Sequence, residues 1–238
     1  MAQTVDLQDL AIVLAARNYN PGMLTPDFLN GSGVVPADWE LARPPALSQR
    51  ATQVVFKNGV RIEGQPGTVS FSEQMGNEDP QAFRVPDLAR RYAAALPNLE
   101  YLGVGINPRR FVTFGEEAES AHQYITETIL SRGSWQNFGT APMQAGINLV
   151  YTLERCQLRL GINEARFKLP DQEVPAVLFA GNFNYGVRGE SPAERLESLK
   201  EAIAHWQEDL AAYRDLIDSQ FLAGVEAEAV SIFPSSAL

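Results

Sequence analysis

The sequence has few of the side chains that build metal and thiol sites: two histidines and one cysteine among 238 residues. His122 and His205 are far apart in the chain, and Cys156 has no second cysteine to pair with. A zinc site needs several such ligands at fixed spacing, so we expect neither a bound metal nor a cofactor. Arg155 could activate the Cys156 thiol, although a lone cysteine is more often a packing residue.

Neither a leader segment nor a membrane-spanning run is predicted. The first residues carry no basic segment, and the apolar run from Leu10 to Ala16 is too short for export or for crossing a bilayer. The single cysteine excludes an internal disulfide and is typical of a reducing compartment. These absences predict a soluble, cytoplasmic protein without membrane insertion.

Positive charge is scarce in this chain. It has 19 Lys and Arg against 29 Asp and Glu, a formal net charge of −10. Such a chain repels phosphate backbones and anionic lipids, so we expect no nucleic acid among its partners. Hydrophobic residues make up 45% of the sequence and charged residues 20%, which is typical of globular proteins rather than disordered ones.

What is present is a series of short strands and turns. Asn58-Gly59 separates residues 51–56 from residues 60–63, and this pair favours a hairpin with a type I′ turn. A phase shift in the apolar alternation near Glu164-Ala165 indicates a β-bulge. Further strands are predicted at residues 10–16, 68–73, 99–106, 146–154, 157–169 and 174–187.

Three helices are predicted. Residues 85–96 place their apolar side chains on one helical face, and residues from about 116 to 130 do the same. Ser191-Pro192-Ala193-Glu194 forms a capping box, and the helix that follows should reach Phe221. Its apolar stripe predicts burial on the sheet, with a coiled-coil dimer as the alternative because the period is near 3.5. The stripe consists of Leu196, Leu199, Ile203, Trp206, Leu210, Tyr213 and Ile217.

These elements predict an α+β fold: a mostly antiparallel sheet of about seven strands covered by three helices, including the long C-terminal helix. No break in composition divides the chain, so residues 1–238 are predicted to form a single domain with a tail at 223–238. Asn-rich turns follow three of the strands. A pseudo-duplication into halves of about 1–112 and 113–222 is therefore an alternative.

Four stretches of the sequence resemble a known group of proteins. They are Asn20-Pro21-Gly22-Met23-Leu24-Thr25-Pro26-Asp27-Phe28-Leu29, Pro36-Ala37-Asp38-Trp39-Glu40-Leu41, Leu96-Pro97-Asn98 and Gly105-Ile106-Asn107-Pro108. Together they resemble an uncharacterised family of soluble bacterial (cyanobacterial) proteins of similar length, over most of the chain. The resemblance implies a soluble bacterial protein and attaches no activity, cofactor or site residue to it.

The candidate ligand-binding residues are amide and guanidinium groups near strand ends. If the strands are neighbours, the Asn side chains gather at one rim, where their donors and acceptors can read a polar ligand. The adjacent pair Arg109-Arg110 could bind a carboxylate or phosphate. The alternatives are ordinary Asn turn chemistry and pairing of the arginines with acidic side chains. The candidates are Asn18, Asn20, Asn107, Arg109, Arg110, Asn182 and Asn184.

The segment from Pro21 to Ser48 is rich in Pro, Gly and Asp but also carries large apolar side chains. Irregular segments of this length are uncommon unless they are functional or disordered. We predict that this one is ordered and forms part of an interface, against this subunit or against a partner. Covering the edge of the sheet is the alternative. The interface candidates are Phe28, Val34, Val35 and Trp39.

These observations favour a non-enzymatic protein that acts through contacts with another protein or with itself, in an assembly, adaptor or regulatory role. The alternative is a domain that binds a small molecule or catalyses a reaction. Its pocket would lie between the sheet and the helices, near the Asn-rich strand ends.

Overall fold

The computed structural model describes residues 2–4, 7–48, 50–75, 83–114, 119–168, 173–223 and 227–229. The strands are β1 (Ala2–Thr4), β2 (Leu7–Ala16), β3 (Ala46–Leu47), β4 (Thr52–Val55), β5 (Arg61–Gln65), β6 (Thr68–Met75), β7 (Tyr101–Thr113), β8 (Gly146–Thr152), β9 (Gln157–Lys168), β10 (Glu173–Gly186) and β11 (Ala227–Ala229). The α-helices are α1 (Pro26–Gly31), α2 (Val85–Ala95), α3 (Ser120–Gln123), α4 (Pro192–Ala204) and α5 (Trp206–Leu216). Short 3₁₀ segments cover Pro21–Met23 and Ser134–Asn137, and π-helical turns cover Tyr124–Ile129 and Ile217–Phe221.

The fold is α+β, with a nine-stranded antiparallel sheet in the order β3-β4-β5-β6-β2-β7-β10-β9-β8. The sequence predicted about seven strands. One strand that it missed is β3, which has two residues, Ala46 and Leu47, and so shows no alternation. Strands β1 and β11 pair in parallel outside the large sheet, and β11 lies in the segment predicted as a tail.

The two halves of the sheet have equivalent strand orders when the strands are followed from the centre toward each edge. Strands β2 and β7 are neighbours, and β6, β5 and β4 follow on one side as β10, β9 and β8 follow on the other. A helix comes after β6 in the first case (α2) and after β10 in the second (α4). A duplication of two halves stays a prediction. The connectivity favours a boundary between the halves near residues 96–100, because the predicted boundary between residues 112 and 113 lies inside β7.

One face of the sheet carries the core. The register places Ile12 of β2 opposite both Phe71 of β6 and Ile106 of β7, and all three side chains are buried. Helices α2, α4 and α5 contribute Tyr92, Leu199 and Tyr213 to the same core. The opposite face carries mainly polar and small side chains, as expected for an antiparallel sheet with one solvated side.

The C-terminal helix follows the prediction closely. Ser191 and Glu194 form the predicted capping box, and the chain stays helical to Phe221 except at His205. Five side chains of the stripe are buried in the core, while Leu196 and Trp206 are half-buried. Because the apolar stripe is already buried against its own chain, packing on the sheet is favoured over a coiled-coil dimer.

Two local predictions were wrong in their geometry. The hairpin at Asn58-Gly59 has a three-residue loop, in which Gly59 alone has a left-handed φ of +88° and Phe56 bonds to Val60. This is the type I turn plus left-handed glycine found in longer hairpins, rather than a type I′ turn. The pairing of β9 with β10 is continuous through Glu164 and Ala165, so no bulge is present there.

The second predicted helix, at residues 116 to 130, begins later than expected. Helix α3 starts at Ser120 and continues as a π-helical turn to Ile129, while residues 115–118 lie outside the described part of the chain. None of the described helices is long and apolar enough to cross a membrane.

The segment from Pro21 to Ser48 is ordered and packs against this chain. Val34 and Val35 are buried in the core, and Phe28 contacts the ring of Tyr92 edge-on. Trp39 packs edge-on against Phe56 and lies under the guanidinium of Arg84. The four interface candidates therefore contribute to intramolecular packing, and a partner contact through them stays a prediction.

Candidate functional site

The structure brings together four of the seven predicted ligand-binding residues. Asn107, Arg109, Asn182 and Asn184 lie on the polar face of the sheet, on the neighbouring strands β7 and β10. The Asn182 amide donates to the Asn107 side-chain oxygen, and Asn107 Nδ2 donates to the Gly105 carbonyl at 3.2 Å. A Cβ on Gly105 would lie 3.0 Å from Asn182 Nδ2, so this glycine leaves room for the amide pair.

The other three candidates lie elsewhere. Asn18 has a φ of +58° in the turn after β2, and Asn20 caps the segment Pro21–Met23 by accepting from the Gly22 N–H at 2.9 Å. Both asparagines therefore serve local turn chemistry. Arg110 points to the helix-covered face and forms an ion pair with Asp218, because consecutive side chains of a strand point to opposite faces.

The polar face contains a trough across β5, β6, β2 and β7. The two middle strands present short side chains, while the two outer strands present long ones. Neighbouring strands are about 4.8 Å apart, so long side chains flank a floor two strands wide. The resulting cavity has a volume of about 320 Å³. Its floor is formed by Ala11, Val13, Ser70 and Ser72, its walls by Arg61, Glu63, Asn107 and Arg109, and one end by Asp9 and Gln74.

Asp9 is the unusual group of this trough. Its Oδ1 atom is excluded from solvent and has no hydrogen-bond partner among the described residues. Burial raises the pKa of the Asp9 carboxyl from 3.8 to about 6, although the nearby charges of Arg109 and Arg61 act in the opposite direction. A desolvated carboxylate without a donor is unfavourable, so its pKa rises. At neutral pH Asp9 is therefore a strong acceptor for a donor that the described residues do not supply.

Arg109 and Arg61 are the cationic groups nearest to this carboxylate in the trough. Arg109 lies directly opposite Asp9 in the β2–β7 pairing, and Arg61 reaches the same cavity from β5. Neither guanidinium forms a hydrogen bond or an ion pair within 4 Å with any residue that the structure describes. Both are therefore available to an anionic group, which guanidinium binds with two parallel hydrogen bonds.

A second cavity lies next to the trough, beside the amide pair. This cavity of about 320 Å³ shares Val13 and Asn107 with the first and extends to Asn182 and Asn184 on β10. Glycines 103 and 105 also line this cavity. The polar face thus offers two adjacent cavities, one lined by charged groups and the other by amides.

A second polar cluster, which the sequence did not reveal, lies at the β8–β9 turn. Asp209 of α5 is fully buried, and Arg155 Nη2 lies 2.6 Å from its Oδ1 atom. The Tyr185 hydroxyl donates to Asp209 Oδ2 at 2.7 Å, and the His205 ring stacks on Tyr185. These contacts fasten the turn and β10 to the C-terminal helix.

The thiol of Cys156 lies beside this cluster. Burial raises the pKa of the Cys156 thiol, and its side-chain hydrogen bond is to Tyr185. Arg155 is engaged with Asp209, and its charge lowers the pKa of the Cys156 thiol by less than burial raises it. The two histidines are hydrogen-bonded to carboxylates: the His122 ring to Glu164 at 2.8 Å and the His205 ring to Glu208 at 3.2 Å. The cluster has the character of a structural support.

Sequence reasoning missed Asp9, Arg61 and the serine floor of the trough. The available signal was a charged residue inside a central strand: Asp9 stands between Gln8 and the apolar run that begins at Leu10. The described residues contain no group of three His, Cys, Asp or Glu side chains that could hold a metal ion.

No protein-family model matches the chain, and neither the curated proteins nor the solved structures include one with significant similarity to it. A function for this chain therefore has to be inferred from its own geometry.

Proposed function

We propose that this protein binds a small zwitterionic molecule in the trough on the polar face of its sheet. The observation that carries the proposal is the half-buried Asp9 carboxylate, whose Oδ1 atom is excluded from solvent and has no hydrogen-bond partner, beside two guanidinium groups that form no hydrogen bond or ion pair with the described residues. A bound molecule with an ammonium group would supply the donor for Asp9. Its acidic group would bind Arg109 or Arg61.

The charge of the trough supports a zwitterion over a simple anion. Asp9 and Glu63 are acidic, Arg61 and Arg109 are basic, and a mixture of charges of this kind favours a ligand that carries both signs. An ordinary anion would meet the Asp9 carboxylate at the same end of the trough as Arg109. A molecule with both charges satisfies both groups, and partial burial strengthens each interaction.

The trough lies on the polar face of the sheet, whereas the sequence suggested a pocket between the sheet and the helices. Leu10, Ile12 and Leu14 of β2 are fully buried beneath the helices, so this layer is filled by packing side chains. The Asn-bearing positions alternate with these core positions along the strands and therefore face the opposite side.

The proposal is tested by thermal shift and calorimetry with each of the twenty amino acids as single probes. At least one amino acid should raise the melting temperature, whereas acetate and methylammonium at the same concentration should not. Asp9→Asn and Arg109→Gln should each weaken binding of that amino acid by about tenfold or more, because each removes one charge-assisted contact. Arg159→Gln is the matched control: it lies on the same face outside the trough and should leave the affinity unchanged.

The pH dependence of binding follows from the Asp9 carboxyl. With its pKa at about 6, Asp9 is ionised at pH 8 and protonated at pH 5. An ammonium group binds the ionised form, so the affinity should fall as pH decreases through 6. Equal affinity at pH 5 and pH 8, or no response to any amino acid, would contradict the proposed function.

A further inference from the structure

The edge of the sheet formed by β8 is unusually free of charge. From Gly133 to Leu153 the chain contains no Asp, Glu, Lys or Arg, although the whole chain carries 48 such residues (19 + 29). Three large apolar side chains in this stretch are exposed: Trp135 by 52%, Phe138 by 89% and Val150 by 61%. Sheet edges are ordinarily guarded by charged side chains, proline or very short strands, and β8 has none of these.

The hydrogen-bonding groups of β8 point outward at alternate residues. The Leu153 N–H donates to the Cys156 carbonyl at 2.9 Å, which makes this pair a hydrogen-bonded one. By the alternation of antiparallel ladders, 147, 149 and 151 bond to β9, while the N–H and C=O groups of 146, 148, 150 and 152 face away from it. No described residue outside the sheet forms a backbone bond to these four.

We infer that β8 pairs with β8 of a second copy of this chain, antiparallel and with the two-fold axis at Leu149. In this register Gly146 lies opposite Thr152 of the second copy, and Asn148 lies opposite Val150. All four outward residues are thus paired with outward residues. The two nine-stranded sheets become one continuous sheet across the interface.

The side chains of β8 fit this self-pairing. On the helix-covered face, Leu149 meets its own copy and Ile147 meets Tyr151, an aliphatic–aromatic pair of the kind that stabilises sheets. These three side chains are only half-buried within one chain, because they lie at the edge of the core. A second copy would extend that core.

The absence of charge, together with the self-matching register, favours a second copy as the partner. The chain carries a net charge of −10, so two copies repel each other over most of their surfaces. The uncharged stretch is a surface where two copies meet without facing like charges. The flanking residues continue this pattern, since Leu153 lies opposite Ala145 and Glu154 opposite Gln144 in the same register. A two-fold contact of this kind also closes on itself and stops at a dimer.

Disulfide trapping tests the register directly. In a Cys156→Ser background, Leu149→Cys should form an intermolecular disulfide under mild oxidation, because residues at a non-hydrogen-bonded pair are close enough to bridge. Ile147→Cys is the matched control: its copy lies opposite Tyr151, four residues away, and should stay reduced. A disulfide at Ile147→Cys and none at Leu149→Cys would overturn the register.

Sedimentation equilibrium of the full chain tests the edge itself. Val150→Pro removes an outward N–H from each copy and should weaken dimerisation by about tenfold or more. Val150→Thr keeps that N–H and the branched shape, and should dimerise like the unmodified chain. The inference fails if the unmodified chain is a monomer at 100 µM, or if Val150→Pro is folded and dimerises undiminished.

Discussion

Replacing Arg155 with methionine should lower the free energy of unfolding by about 3 kcal/mol, near the lower end of what breaking a buried ion pair costs. Asp209 is fully buried, and two nitrogens of Arg155 donate to its Oδ1 at 2.6 and 3.1 Å. The variant keeps the aliphatic stem but leaves the carboxylate with the Tyr185 hydroxyl as its remaining side-chain donor among the described residues. Urea unfolding at pH 7 measures the loss.

The double variant Arg155→Met/Asp209→Asn separates lost charge pairing from lost packing. It removes the uncompensated carboxylate, so it should recover part of the stability that the single variant loses. In the single variant the pKa of Asp209 rises further, since its cation is gone, and the loss should shrink as pH falls toward 4. A loss below 1 kcal/mol, or one equally large at all pH values, would show that the pair contributes little.

Asp9→Asn should instead stabilise the protein at pH 8, by up to about 3 kcal/mol. Burial raises the Asp9 pKa from 3.8 to about 6, and each pKa unit corresponds to about 1.4 kcal/mol. Because the folded state binds the proton more tightly than the unfolded state, stability falls as pH rises from about 4 to 6. The gain from the variant should be full above pH 6 and should vanish near pH 4.

Melting temperatures of the variant and the unmodified chain from pH 4 to pH 8 measure this effect. Asp38→Asn is the control: it removes an exposed carboxylate and should change stability by less than about 0.5 kcal/mol. A destabilised Asp9→Asn protein at pH 8 would mean that Asp9 supports the fold. Stabilisation would show that the Asp9 charge lowers the stability of the fold, and a destabilising charge of this kind is characteristic of functional sites.

The parts of the fold that depend on local sequence could be predicted. The capping box at Ser191–Glu194 acts through neighbouring residues, so its sequence signal corresponds to the observed start of the helix. Strand β3 could not be predicted, because its two residues form a strand only by pairing with β4. The apparent bulge in β9 arose because Phe167 is apolar on the polar face, where it packs against Phe111.

The candidate site could be predicted only in part. Asparagines 107, 182 and 184 share a face because their strands are neighbours, which the sequence suggested, whereas Asn18 and Asn20 belong to turns. Alternation along β7 determines that Arg109 and Arg110 point to opposite faces. Only the strand order shows that Asp9 and Arg109 lie opposite each other, since they are 100 positions apart in sequence.

The most direct test of the proposed trough is heteronuclear NMR of the labelled full chain during titration with the amino acid that gives the largest thermal shift. Binding should move the resonances of Asp9, Ser72 and Arg109 and lower the pKa of the Asp9 carboxyl by at least about one unit, because an ammonium partner stabilises the ionised form. Asn148 and Val150, on the same face but at the far edge, should not move. Shifts confined to other residues, or an Asp9 pKa that stays at about 6 with the amino acid bound, would contradict the proposed binding site.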